Sequence, residues 1–396
     1  MTDRIVAGHP WIYQAAIQSV SHTPKDGEVV QVRDSRRRFL GIGFYNAKSK
    51  INVRLISRQK EEIDTDFFTR KLSAAQAFRS KLIPDATSYR LVNAEGDELS
   101  GLIIDRYNDV FSVQISSLGI EQRKQSIFDA LKNLYPDSTI LERTDIASRK
   151  SEGLPTNPPT TLTLGSDKRP AQTQIELNGL KFDVDFTTGH KTGFYLDQQT
   201  NYQAAATLLK QWNAKKILDC FTYQGGFALH AARATEGKIL GIDQSEDAIK
   251  RARANASTNG LNSHCEFASA NVFDWLKEAQ KHTRADSPEH KYDAIILDPP
   301  SFTRSRASVG DALRGYKEIH LRAIRLLKER GLLFSYCCSH HVDSNTFEDV
   351  IVTAAFDSRR RLRRIASFTQ SPDHPIIPTI PETQYLKGFA FELLPR

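Results

Sequence analysis

Two acid- or thiol-bearing strand ends stand out. Ile295-Ile296-Leu297 runs into Asp298-Pro299-Pro300-Ser301-Phe302. An acid leaving a buried apolar strand is costly unless it is used, and two prolines fix the turn and remove two donors. Further on, Phe334-Ser335-Tyr336 runs into Cys337-Cys338-Ser339. A thiol beside a carboxyl suits carbon methylation of a pyrimidine, whose C5 is not nucleophilic by itself. A thiolate adds to C6, an acid stabilises charge at N3, C5 attacks a methyl group, and elimination restores the ring. Strand alternation sends Cys337 and Cys338 to opposite sides, so at most one is catalytic. The bland alternatives are a structural Asp-Pro-Pro turn and cysteines that are small buried hydrophobes. The latter reading is preferred for Cys220 and Cys265. His340 and His341 could assist a thiol, although loop histidines are usually only solvated.

A second constellation lies upstream. Lys216-Ile217-Leu218-Asp219-Cys220-Phe221-Thr222-Tyr223-Gln224-Gly225-Gly226-Phe227 places an acid and two glycines where a strand turns into a helix. Glycines let the backbone approach a ligand, and a helix N-terminus offers free N–H groups. The spacing is not GxGxxG, and the Phe-Thr-Tyr insert suits a smaller adenosine-type cofactor without a pyrophosphate. The next strand ends Gly241-Ile242-Asp243, with an acid able to accept from both ribose hydroxyls. Asp243 could instead cap the following helix, although Ser245 would serve there about as well. Asn271 and Val272, at the end of the third strand, are expected to flank an adenine.

These residues need a scaffold. Beyond about residue 175 the pattern alternates strand and helix: Ile217–Asp219, Gly226–Ala234, Lys238–Asp243, Glu246–Thr258, Tyr292–Leu297, a helix Tyr316–Arg330, and Gly331–Tyr336. That rhythm implies a doubly wound, mainly parallel sheet with ligands at the carboxyl ends of its strands. The first seventy residues read as short strands (Val29–Val32, Phe39–Tyr45, Ile51–Ile56), which suggests a small β-barrel-like module, followed by a helix Asp66–Leu82 closed by Pro84. Residues 89–149 form a separate α+β pattern, with a helix near Gln122–Leu134. Residues 150–173, rich in Ser, Thr, Pro and Gly, read as a linker or surface loop.

Hydrophobic content of 39% and charged content of 26% allow buried cores and argue against wholesale disorder. The 54 Lys and Arg exceed the 47 Asp and Glu, for a net charge of +7. This permits nucleic-acid binding without proving it. The clusters Arg36-Arg37-Arg38 and Arg359, Arg360, Arg361, Arg363 and Arg364 face either phosphate or water. The four cysteines form no CxxC pair, which argues against zinc and fits a reducing cytoplasm. No charged-then-apolar leader opens the sequence, and no apolar run reaches the ~18 residues that span a bilayer.

The motifs also carry a family likeness. Gly8-His9-Pro10-Trp11-Ile12-Tyr13 looks like the start of a PUA RNA-binding domain, and Asn93–Tyr107 is similar to a small central domain. Lys191-Thr192-Gly193-Phe194-Tyr195-Leu196-Asp197-Gln198-Gln199, Asp298–Phe302, Pro372-Asp373-His374-Pro375 and Tyr385-Leu386-Lys387-Gly388 follow in order. Over nearly its full length the chain resembles the ribosomal RNA large subunit methyltransferase I family, the 5-methylcytosine enzymes of 23S rRNA.

The resemblance implies an α/β fold: a C-terminal Rossmann-like S-adenosylmethionine methyltransferase domain (175–396), an N-terminal PUA-like β-barrel (1–68) and a small central α+β domain (69–174). It implies S-adenosyl-L-methionine as cofactor. Phe194, Asp197 and Gln198 would hold it from the closing segment, with Asp219, Phe221, Thr222, Tyr223, Gly225, Gly226 and Phe227 from the first turn. Asp243, Gln244 and Ser245, then Asn271 and Val272, and Asp298 complete the set. The implied partner is 23S rRNA or a large-subunit precursor, in the cytoplasm and away from membranes, with a homodimer left open.

Two departures stand out. The family strand end reads Thr-Cys-Ser-Cys-Ser, whereas here it is Ser335-Tyr336-Cys337-Cys338-Ser339. The second cysteine falls on Cys338, taken as the nucleophile, and the first is replaced by Tyr336. The acid usual at the third strand end is Asn271. Two other functions compete: methylation of a guanine nitrogen, which needs no thiol, and an RNA-binding assembly factor with a vestigial donor site.

Overall fold

The computed structural model describes residues 2–156, 172–186, 193–282, 290–303 and 305–395. The chain forms two compact units. The first comprises Met1–Ile175, Val184–Asp197 and Pro372–Thr383, the second Glu176–Asp183, Gln198–Ser371 and Gln384–Arg396.

In the first unit, α1 (Thr2–Val6) precedes β1 (Trp11–Tyr13), β2 (Val29–Arg33), β3 (Phe39–Tyr45) and β4 (Ile51–Ser57). They form an antiparallel sheet in the order β1-β4-β3-β2. Helix α2 (Thr65–Leu82) starts where the Asp64 carboxylate accepts from the Phe67 amide at 2.8 Å, the usual way to satisfy a free helix donor. It buries Phe67, Phe68, Leu72 and Ala75. Then come β5 (Ser88–Asn93), β6 (Leu102–Tyr107), β7 (Val110–Ile115), α3 (Leu118–Glu121), α4 (Lys124–Leu134), β8 (Thr139–Arg143) and α5 (Ile146–Ser151). The second sheet runs β5-β6-β7-β8, with β8 parallel to β7. The helix expected near Gln122–Leu134 is α4, which begins at Lys124 after a turn at residues 122–123.

The stretch read as a loop from residue 150 begins docked. Glu152 is buried, accepting from the Ser49 hydroxyl at 2.6 Å and from Arg54 at 2.7 Å, and Leu154 is buried too. A carboxylate paired this way offsets its desolvation, so 152–154 are anchored. Residues 157–171 of that stretch lie outside the described residues.

Arg79 is buried at the centre of the first unit. It pairs with both carboxylate oxygens of Asp97 and donates to the carbonyls of Arg90 (2.9 Å) and Asp373 (2.8 Å). The Asp373 carboxylate in turn accepts from the Arg90 amide at 2.8 Å.

A hairpin of β9 (Gln172–Leu177) and β10 (Leu180–Asp185) follows. The second unit then alternates α6 (Gln199–Gln211), β11 (Lys216–Cys220), α7 (Gly226–Thr235), β12 (Lys238–Asp243), α8 (Glu246–Thr258), β13 (Cys265–Ser269), α9 (Val272–His282), β14 (Tyr292–Leu297), α10 (Val309–Leu326), β15 (Leu327–Cys337), α11 (Ser344–Asp357), β16 (Leu362–Thr369) and β17 (Lys387–Leu393). Its seven-stranded sheet has the order β13-β12-β11-β14-β15-β17-β16. The first five strands are parallel, and β17 runs antiparallel to both of its neighbours, β15 and β16. The strand order reverses between β11 and β14, where open α/β sheets form a crevice at their carboxyl edge.

One boundary corrects the sequence reading. The helix expected over Tyr316–Arg330 ends at Leu326, and Leu327–Arg330 belongs to β15. Leu-Lys-Glu-Arg has helical propensity, yet Leu327 pairs with Tyr292 across the sheet and is fully buried. Tertiary pairing outweighs a preference worth tenths of a kcal/mol per residue. The helix instead begins earlier, at Val309, and buries Ala312, Tyr316, Ile319, His320, Ala323 and Ile324.

Candidate active site

The carboxyl edge of the seven-stranded sheet gathers the residues singled out in the second unit. Asp219, next to last in β11, is fully buried. Its Oδ2 accepts from the Thr222 hydroxyl at 2.6 Å and the Ala228 amide at 3.0 Å. Its Oδ1 is buried without a hydrogen-bond partner among the described residues. Burial pushes its pKa up to about 7, the bonds from Thr222 and Ala228 notwithstanding. The acid thus braces the turn with one oxygen and holds the other in reserve.

That turn has an unusual backbone. Phe221, Tyr223 and Gly225 have φ of 64°, 50° and 87°, and for the two aromatics this left-handed conformation costs about 1–2 kcal/mol each. It is held by the Thr222 amide on the Ile242 carbonyl (3.0 Å) and the Tyr223 amide on Asp243 Oδ2 (3.0 Å). A Cβ on Gly226 would fall 2.6 Å from the Tyr202 ring. The glycine therefore seats the first turn of α7 against that ring.

Asp243 accepts from Ser245 N through Oδ1 at 2.9 Å, while the cap of α8 is Ser245, whose hydroxyl accepts from the Ala248 amide. The carboxylate is fixed by two amides and half-buried, which leaves lone pairs for two hydroxyls. Asn271 is exposed and caps α9: its Oδ1 accepts from the Phe273 amide at 2.9 Å. Its amide NH2 is the part that remains to meet a ring nitrogen. Val272 is buried behind it. Gln244 follows Asp243, and its carbonyl accepts from the Ser269 hydroxyl at 3.4 Å.

Asp298 leaves β14 half-buried, and its Oδ1 accepts from Gln198 Nε2 at 3.0 Å. Gln198 Oε1 accepts from Asn201 Nδ2 at 2.7 Å, so the amide is held from behind. Leu297 pairs with Ser335, which brings Asp298 out level with Tyr336 on β15. The two cysteines then separate. Cys337 is fully buried and its thiol meets the Tyr316 hydroxyl at 3.4 Å, whereas Cys338 lies beyond the strand end, half-buried. Lys387 donates to the carbonyls of Ser339 and Val342, tying down the loop that carries Cys338. Burial holds the pKa of Lys387 below its usual value, against the smaller opposing effects of Cys337, Cys338 and Asp343.

Phe194 and Asp197 belong to the first unit, where the Phe194 amide donates to the Tyr107 hydroxyl at 2.9 Å. Lys191 and Thr192 lie outside the described residues. Tyr336, whose hydroxyl is buried without a partner among the described residues, and Lys387, which bonds the loop after β15, were not assigned by the residue pattern alone. The departure at Tyr336 from the family motif was the available signal for the first, and the Tyr-Leu-Lys-Gly motif for the second. Cys220 is buried in the core and Cys265 is half-buried with its pKa pushed up to about 12, both poor nucleophiles.

Residues 2–58 match the model of a PUA-like domain, and residues 212–370 that of a methyltransferase domain. The chain is 39% identical over 387 residues to ribosomal RNA large subunit methyltransferase I of Photobacterium profundum, covering 96% of this chain and 94% of the relative. The protein of the same name from Aeromonas salmonicida is 40% identical over 384 residues, again 96% and 94%. The chain belongs to the ribosomal RNA large subunit methyltransferase I family. As a member of that family it is a methyltransferase with S-adenosyl-L-methionine as donor.

Solved structures extend the fold. One from Streptococcus mutans, provisionally described as a SAM-dependent methyltransferase, superposes with a TM-score of 0.81 at 22% identity, covering 98% of this chain and 97% of that one. Another, provisionally described as a methyltransferase and solved with SAH, gives 0.82 at 22% identity, with 99% and 97% covered. The α/β fold class of this family member, PUA-like at the N-terminus and methyltransferase at the C-terminus, is as the sequence indicated. The carboxyl edge of the sheet carries an orphaned buried carboxylate oxygen, an amide-fixed acid and a turn with a left-handed glycine, features that fit an adenosine-type group. Among the described residues no helix is long and apolar enough to cross a membrane.

Proposed function

We propose that the protein methylates C5 of a cytosine in large-subunit ribosomal RNA. The relatives' name supplies the RNA, and the reaction is read from this chain's own strand ends. The observation that carries it is the exit of Asp298 and Cys338 from the neighbouring strands β14 and β15.

The donor, when bound, supplies an electrophilic methyl group. Asp219, the 221–227 turn, Asp243 and Asn271 are the residues of the second unit that would hold it, with Phe194, Asp197 and Gln198 assigned by the family motif. Cys338 forms the bond to C6 as a thiolate while Asp298, as the carboxylic acid, gives its proton to N3, where negative charge would otherwise build, and takes that proton back when the S–C6 bond breaks. C5 would then take the methyl group as that group's bond to the donor sulfur breaks, the electron pair staying on sulfur as a neutral thioether. Loss of the C5 proton to solvent breaks the S–C6 bond and returns the thiolate. Gln198 holds the Asp298 carboxylate, and Lys387 holds the Cys338 loop.

The N-terminal module supports RNA binding. Arg36, Arg37 and Arg38 lie in the exposed turn between β2 and β3, with Arg38 paired to Asp34. The second arginine cluster is largely spent on protein: Arg360 pairs with Glu329, Arg363 with Glu392 and Arg364 with Glu348. We assign phosphate contact to the first cluster, and keep the division at 1–68, 69–174 and 175–396 as the working domain scheme.

Mapping 5-methylcytosine in large-subunit rRNA from cells with and without the gene tests the reading. Loss of one site on deletion is expected. An unchanged cytosine map with a lost N-methylguanine would replace this chemistry with the thiol-free alternative.

A further inference from the structure

We propose that the Tyr336 hydroxyl positions the methyl donor by accepting a hydrogen bond from the α-ammonium at its methionyl end. The inference rests on the reading of this edge as a donor site. Tyr336 occupies the place of the first cysteine in the family's strand-end motif, so this hydroxyl is a property of the present chain.

Side chains alternate along β15. The Ser335 hydroxyl meets His320 of α10 at 2.6 Å, and the Cys337 thiol meets Tyr316 of the same helix. Tyr336 therefore points to the opposite face. There its ring stacks on Phe227, in the first turn of α7, with centroids 4.9 Å apart, and lies 5.6 Å from Phe368. The paired neighbour on β17 is Gly388, where a Cβ would come within 2.4 Å of the tyrosine ring. The ring is housed on all sides.

The hydroxyl is not. Tyr336 is fully buried, yet its oxygen has no hydrogen-bond partner among the described residues. A buried hydroxyl left unpaired is destabilising, so a group that reaches it is favoured. Asp219 pairs with Ile296 and Ile296 with Phe334. By the two-residue period, Asp219, Asp298 and Tyr336 project from three adjacent strands on one face. Burial first, then the charges of Asp298 and Asp219, push the pKa of the phenol up, which keeps it neutral beside two carboxylates. Asp219 Oδ1 is orphaned in the same way. Two unfilled acceptors in a region of negative potential suit a cation that carries N–H donors. The methionyl ammonium of the donor is such a group.

The test is calorimetric titration of the wild-type protein and Tyr336→Phe with two ligands. S-adenosylmethionine carries the ammonium, and 5′-methylthioadenosine keeps the adenosine and sulfur but lacks the amino-acid end. The phenylalanine retains both ring contacts and removes an unpaired buried oxygen, so the unliganded variant should melt at the same temperature or higher. Binding of S-adenosylmethionine is expected to weaken about tenfold or more, the loss of a hydrogen bond to a charged group, with methylthioadenosine unaffected. Equal affinity of both proteins for S-adenosylmethionine overturns the proposal, as does equal weakening of both ligands. Unchanged donor affinity with a raised KM for RNA would put the hydroxyl against the base and overturn it as well. A wild-type protein that binds neither ligand would instead bring down the donor-site reading itself.

Discussion

Gln198 Nε2 donates to Asp298 Oδ1 at 3.0 Å. The bond fixes the orientation of the acid where it leaves β14. Replacing Asp298 by Asn keeps the shape and removes the acid that would protonate N3, so methylation of rRNA should fall at least about a hundredfold. Gln198→Ala should lower kcat by about tenfold through loss of orientation. Steady-state assays with labelled donor measure both. A Gln198→Ala enzyme with wild-type kcat would mean that the acid needs no holder.

The two cysteines should separate cleanly. Cys338→Ala should reduce methylation to background while leaving the melting temperature near that of the wild type, since the side chain is only half-buried. Cys337→Ala should retain activity but cost about 1–3 kcal/mol in urea unfolding, from the lost buried sulfur and its contact with the Tyr316 hydroxyl. Active Cys338→Ala would remove the covalent adduct from the mechanism.

How far the sequence alone reaches can be judged from these residues. Asp219, Asp243, Asp298 and Cys338 were visible because an acid or a thiol at the end of an apolar run marks a strand end, where open α/β sheets bind ligands, and Gly225 because a glycine pair opens the helix after the first of them. Local pattern failed where partners are remote. Leu327–Arg330 has a helix-forming sequence and became strand because Tyr292 pairs with it. Tyr336 looked like ordinary core, as only the neighbouring strands reveal that its oxygen is unmatched. The antiparallel β16 and β17 and the β9–β10 hairpin were not anticipated, their short runs lacking the strand–helix rhythm.

Stability should depend on pH through three buried groups. Burial pulls the pKa values of His230 and His320 down from 6.5 to about 4. A group whose folded pKa is depressed contributes stability that is present above pH 6.5 and lost as the pH falls toward 4, about 3 kcal/mol each. Asp219 acts in the opposite sense. Its pKa is raised from 3.8 to about 7, so its contribution is present at low pH and lost as the pH rises toward 7. Asp219→Asn should therefore lose less stability than the wild type between pH 5 and pH 8 in urea denaturation. Parallel profiles for the two proteins would show that the acid ionises normally in the fold.

Lys387→Met should act on the loop rather than on the core. The variant leaves the carbonyls of Ser339 and Val342 without their ammonium and takes a positive charge away from Cys338. Slower alkylation of Cys338 by iodoacetamide and a kcat reduced by about tenfold or more are expected. Alkylation at the wild-type rate would limit Lys387 to a structural role.

Arg79 needs the Asp373 carbonyl, and the Arg90 amide needs the Asp373 carboxylate. During synthesis the ribosome delivers residues 1–371 before either acceptor exists. The N-terminal unit, first to emerge, must therefore wait with incompletely paired buried donors until the C-terminal unit is almost entirely translated. Part of the earliest-made unit is thus among the last to be finished, closed by a segment, Pro372–Thr383, that lies far along the chain.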